Sequence, residues 1–172
     1  MSEDSEIISR FDKKIEELYK VLPKKYYDKE MLEKNCAVWT ILSLKEILQI
    51  DDQYFQNMAA PLACISGACG AVAAGLMGTG IITGGGKEQK PLDQFKAATV
   101  GMKFVHQFKK RFGSTVCQEL TGLDLTTMKG MKKYHEERLW ENRCYMHVIG
   151  ALEIIRDTFK KQLIRLEKTG KL

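Results

Sequence analysis

The chain of 172 residues is 44% hydrophobic, enough to bury the core of one domain spanning residues 1–172. Only three prolines interrupt it, and its wealth of Leu, Lys, Glu, Met and Ala favours helices over strands. The formal net charge of +5 is carried by lysine pairs interleaved with acids, the pattern of solvated helix faces, which argues against nucleic acid as a partner.

In chain order, a first helix is predicted from Ser5 to Leu22, with Ile8, Phe11, Ile15, Leu18, Tyr19 and Leu22 on one stripe and Pro23 ending it. A second runs from Lys29 to Leu48, burying Leu32, Cys36, Trp39, Leu42 or Ser43, and Ile47. Asp51 and Asp52 offer an N-cap for a helix through Phe55, Met58 and Ala59. Pro61 breaks or kinks that helix, and the next passes through Cys69 to Ile82 with Gly67, Ala71, Gly75 and Thr79 at every fourth place. Such a line of small residues admits a close helical neighbour. Thr83-Gly84-Gly85-Gly86 is a connection without the Gly-Lys-Ser/Thr of a phosphate loop. Pro91 opens a long helix to Phe112, with Phe95, Ala98, Met102, Val105 and Phe108 or Phe112 facing inward, and Gly113 stops it. Ser114 or Thr115 caps a short helix carrying Cys117 and ending at Gly122; Leu123 to Lys133 reads as irregular. A last helix spans His135 to Lys168 along Trp140, Cys144, Val148, Leu152, Ile155, Phe159 and Leu163. The expected fold is an all-α, single-domain helical bundle with a buried small-residue helix and inward-facing cysteines.

Positions 53–86 hold no charged residue, although charged residues make up 28% of the chain. Pro61 and the Gly- and Ala-rich composition make this stretch a poor membrane span and a better buried helix. Met1 to Phe11 is acidic and polar with no apolar leader core, so a cytoplasmic location with reduced thiols is expected. Five cysteines, an odd number, leave one thiol over in any intramolecular disulfide scheme. Cys69 and Cys117 fall near predicted helix N-termini, where N–H groups and the macrodipole favour a thiolate below the free value of about 8.5. Cys36 and Cys144 are placed a turn or two into their helices, facing the same interior. The structural alternative is a set of buried thiols acting as small hydrophobes. Cys64 and Cys69 straddle the Pro61 region as a conceivable disulfide pair, although spacing of i and i+5 on a continuous helix is unfavourable.

Cys144 and His147 share a helix face, and with Cys69 and Cys117 they form an alternative ligand set for zinc or an iron–sulfur cluster. No Cys-x-x-Cys pair supports such a site, and no Cys-x-x-Cys-His supports covalent haem. His106 and His135 are isolated and read as non-catalytic; Met77, Met102, Met128, Met131 and Met146 read as core filler. Glu136, Glu137 and Glu141 beside Arg138 and Arg143 read as surface pairing.

Four segments taken together carry a resemblance: Asn35-Cys36-Ala37-Val38, Gly67-Ala68-Cys69-Gly70-Ala71-Val72-Ala73-Ala74-Gly75-Leu76-Met77, Phe112-Gly113-Ser114-Thr115-Val116-Cys117-Gln118-Glu119-Leu120-Thr121-Gly122, and Cys144 opening a long helix. In this order the chain resembles the redox-active protein family named for its Cys, Gly-Cys-Ala-x-x-Gly, Cys, Cys pattern. It departs at Cys69-Gly70-Ala71, where cysteine precedes glycine, and Cys64 is an addition. The resemblance implies thiol-based redox chemistry or electron transfer, with a redox protein or small thiol as partner. Cys69 and Cys117 would be the reactive thiols, and Cys36 and Cys144 resolving or co-ligating partners. The rival class is a non-catalytic helical interaction module or homodimer whose thiols serve packing.

Overall fold

The computed structural model describes residues 5–27, 34–51, 53–64, 67–83 and 91–170, and it is all-α. Helix α1 (Glu6–Val21) runs into a 3-10 turn, Leu22–Tyr27, and is followed by α2 (Cys36–Leu48) and a short α3 (Phe55–Ala59) with its own 3-10 turn, Ala60–Leu62. Next come α4 (Gly70–Ile82), α5 (Pro91–Phe112), α6 (Cys117–Thr121) and α7 (Met128–Glu136). A π-helical turn, Trp140–Cys144, leads into α8 (Tyr145–Thr158), and α9 (Lys160–Thr169) closes the chain. Lys29, Leu32, Asp52 and Gly84 to Gly86, to which the sequence assigned a helix start, a core position, a cap and a connection, lie outside the described residues.

Helix α8 is the hub of the bundle, packing on α1, α2, α4 and α5. Its buried residues Val148, Leu152 and Ile155 continue from Trp140 and Cys144 and on to Phe159 and Leu163, so the predicted stripe is buried from end to end. The single long helix expected there is nevertheless interrupted. Arg138 takes a left-handed φ of 52°, the π turn follows, and Phe159 departs from helical geometry before α9. Breaks of this kind let one apolar stripe follow a curved core.

Helix α4 sits against α2, α5 and α8 and is buried along Ala71, Val72, Ala74, Gly75, Gly78 and Thr79. The reason for glycine is direct: a Cβ at Gly75 would stand 2.3 Å from Cζ of Phe104 on α5, and one at Gly78 would stand 2.4 Å from Leu44 on α2. The small-residue line is thus a packing surface within this chain. Within the helix it begins at Ala71, because Gly67 precedes the helix with φ +77°.

That aromatic insertion also explains the face of α5. Phe104 and Phe108 are fully buried, whereas Phe95 and Met102 are 73% and 65% exposed, with Ala98 exposed as well. Helix α5 carries apolar residues on two faces, and the gap at Gly75 selects the one bearing Phe104. In α1 the stripe is Ile7, Phe11, Ile15, Leu18 and Leu22, with Tyr19 exposed. Helix α3 is capped at Tyr54 and not at Asp51. The segment read as irregular after Leu123 contains α7, whose start is held by the Thr127 hydroxyl accepting from the Gly130 amide at 3.0 Å. Of the methionines read as core filler, Met77 packs against the core, Met131 and Met146 are half-buried, and Met102 and Met128 are exposed.

Candidate functional site

Three cysteines stand where helices begin, and a fourth closes the π turn that runs into α8. Cys36 is the first residue of α2, Cys69 the N-cap of α4, Cys117 the first residue of α6, and Cys144 the residue before α8. Cys36 lies there, and not a turn or more inside its helix, because Asn35 is a strong N-cap. Its Oδ1 accepts from the amides of Ala37 and Val38, each at 3.1 Å, and its Nδ2 donates to the Ala60 carbonyl at 2.9 Å. The segments before α4 and α6 are clamped by an antiparallel bridge between Ala68 and Val116. The Cys69 amide donates to the Thr115 carbonyl and the Cys117 amide to the Gly67 carbonyl, both at 2.8 Å. Two backbone bonds therefore fix these two cysteines relative to each other.

All five cysteines are free, and all five line one cavity of about 220 Å³. Cys69 and Cys144 are buried, and Cys36, Cys64 and Cys117 are half-buried. His147 and His135 also line it, as do Asn35, Leu120, Thr121 and Leu125, then Met131, Tyr134 and Trp140. His106 is exposed on α5 and is not among the lining residues. Arg138 and Glu141 form the expected surface ion pair. Cys64 adopts a left-handed φ of 63° in the loop ahead of α4, so it and Cys69 do not share a helix.

The thiols are electrostatically unequal. Cys69 is held well below the ordinary thiol range, first by a hydrogen bond from the Cys36 thiol and then by the His147 imidazole, against the opposing effect of burial. The Ala71 amide adds to this; as Cys69 closes no side-chain cap bond, that amide acts as a nearby dipole at the helix start. The same bond to Cys69 pushes Cys36 well up, and burial adds to the rise. Cys36 Sγ is seated against the next backbone position, since a Cβ at Gly70 would lie 2.6 Å from it. Burial, reinforced by the neighbouring Cys69, raises Cys64, and it takes Cys117 and Cys144 to about 12. Tyr134 partly offsets the rise at Cys144 with a hydrogen bond. The helix start expected to activate Cys117 is outweighed: α6 is only five residues long, and the thiol is desolvated beside Cys69.

His147 is buried and wedged by aromatics, its ring meeting Phe112 edge-on at 4.9 Å and Phe108 at 6.0 Å. Cys69, Cys117, Cys144 and His147 share the cavity. Among the described residues, however, no group of three His, Cys, Asp or Glu side chains is set to hold a metal ion. Sequence reasoning gave no site role to Asn35, Tyr134 or Trp140. An Asn directly before an apolar helical run was the available signal for Asn35; Trp140 was read as a position on the apolar stripe, and Tyr134 carried no signal.

Residues 34–158 match the model of the C_GCAxxG_C_C family, described as "Putative redox-active protein". The match covers most of the chain, and the protein belongs to this family, which supports a general redox role. No curated protein and no solved structure matches it. No described helix is long and apolar enough to cross a membrane.

Proposed function

We propose that the protein performs two-electron thiol–disulfide exchange, with Cys69 as the attacking thiolate and Cys36 as the resolving thiol. The observation that carries this reading is the Cys36–Cys69 pair: one thiol donates a hydrogen bond to the other, which also faces His147 and a helix start. The thiolate is the nucleophile in such exchange. Cys69 attacks one sulfur of a substrate disulfide; the substrate S–S bond breaks, and the leaving thiolate takes the Cys36 proton. The Cys36 thiolate then attacks the Cys69 sulfur of the mixed disulfide and expels the second substrate thiolate. The substrate gains two electrons, and Cys36 and Cys69 become a disulfide. Two equivalents of a small thiol of a reducing compartment, the cytoplasm, restore the pair by the reverse exchange. Cys64, Cys117 and Cys144 stay protonated at neutral pH, which leaves Cys69 as the thiolate of the cavity.

The test is peptide mapping after one equivalent of a small disulfide is added to anaerobically purified protein. A Cys36–Cys69 link is expected, and the Cys36→Ser variant should accumulate the mixed disulfide at Cys69. A link between other cysteines, or stoichiometric iron or zinc with protected thiols, would overturn the assignment.

A further inference from the structure

The groove between α4 and α5 near Leu76 and Met102 is largely apolar, but nothing in the structure identifies what covers it. The cysteine cavity carries an inference further. Resting on the exchange reading above, we infer that its substrates are small, uncharged, largely apolar disulfides, and that charged disulfides and protein disulfides are excluded.

Access is the first argument. Cys69 is 4% exposed, so its sulfur is approached through the cavity and not from the surface. A disulfide held in another protein would have to bring its backbone into a space of about 220 Å³. For scale, an engineered apolar cavity of about 150 Å³ holds one benzene. The space suits a molecule of one or two rings.

Chemistry of the wall is the second. Among the described residues no Asp, Glu, Lys or Arg lines the cavity. Its polar side chains are largely committed elsewhere. Both ends of the Asn35 amide bond backbone groups, and the Thr121 hydroxyl donates to the Cys117 carbonyl at 2.8 Å and accepts from the Leu123 amide at 3.2 Å. The Trp140 indole N–H donates to the Leu22 carbonyl at 2.9 Å. His147 faces Cys69, and the exposed His135 stands edge-on to Tyr134. What remains for a ligand is the neutral thiols of Cys64, Cys117 and Cys144, weak donors at best, with Leu120, Leu125, Met131 and the Trp140 ring. A carboxylate entering here would lose its water with no lysine or arginine to replace it and would meet the Cys69 thiolate, so desolvation and like-charge repulsion both oppose it.

Two chromogenic aromatic disulfides separate the alternatives: neutral dithiodipyridine and the dianion dithiobis(nitrobenzoate). Reaction with the intact, metal-free protein is followed at neutral pH, and glutathione gives each probe's intrinsic rate. The neutral-to-anionic rate ratio at Cys69 is expected to exceed that of glutathione by at least about tenfold, since an unpartnered desolvated charge costs more than that factor. The net charge of +5 would by itself attract the anion, so this preference runs against the overall field of the molecule. Met131→Trp, which fills the cavity, should slow the neutral probe toward the anionic one with unchanged helical circular dichroism; Leu125→Trp serves if that variant misfolds. Fast reaction with a ratio equal to that of glutathione overturns the substrate class and leaves the exchange reading standing. Slow reaction of Cys69 with both probes contradicts the exchange reading itself.

Discussion

At Cys69 three groups act on one sulfur: the Cys36 thiol, the His147 imidazole and the Ala71 amide, in the face of burial. Because the Cys36 bond is the largest of these, Cys36→Ala should move the Cys69 pKa upward, toward the ordinary value of 9.0, read as an alkaline shift in the pH dependence of Cys69 alkylation. His147→Phe, which keeps the aromatic packing but removes the imidazole, should shift it in the same direction. The remaining thiols give the opposite linkage. Cys117 and Cys144 have folded values raised from 9.0 to about 12, so the native state binds their protons where the unfolded chain has lost them. Their contribution to stability is fully present below 9.0 and is lost as pH climbs to about 12. Denaturant midpoints should therefore fall less steeply over that range for a Cys117→Ala, Cys144→Ala variant than for the parent protein. A parallel fall would refute the buried neutral state of these thiols.

Helix starts organise the site, and they are the features least legible in the sequence. Periodicity marks where apolar faces lie, and it located Trp140, Cys144, Val148, Leu152 and Ile155 correctly. It says less about where a helix begins. Cys36 was placed inside its helix because the apolar pattern extends backward through Leu32, whereas the Asn35 cap sets α2 to begin at Cys36. Likewise Cys69 was read as lying within a helix that starts at Gly70. The bridge between Ala68 and Val116, which joins two cysteine segments far apart in the chain, has no local signature at all. Two glycine substitutions test these elements separately. Gly75→Ala would place a methyl 2.3 Å from the buried Phe104 ring and should destabilise by about 1–3 kcal/mol in denaturant unfolding, with little effect on the thiols. Gly70→Ala would press on Cys36 Sγ instead, and should raise the Cys69 pKa as well as lower stability.

For the whole molecule, residues 34–158 span the site from Asn35 through His147, so family membership and the cavity coincide in the chain. The all-α bundle was legible from composition and spacing, and the family from resemblance. Cys36 was already read as a resolving or co-ligating partner; its placement beside Cys69 was not legible. It depends on α2 and α4 packing closely enough to seat one sulfur against the backbone beside the other. The exposed face of α5 was misread for a related reason: both of its faces are apolar, and only the gap on α4 decides between them. The measurement that tests the account most directly is the rate of Cys69 alkylation as a function of pH, resolved by mass spectrometry against the other four cysteines in metal-free protein. The account predicts that Cys69 reacts first and that its rate is already level well below the ordinary thiol value of 9.0. A Cys69 rate that keeps rising through that value, or that falls behind Cys117, would contradict it.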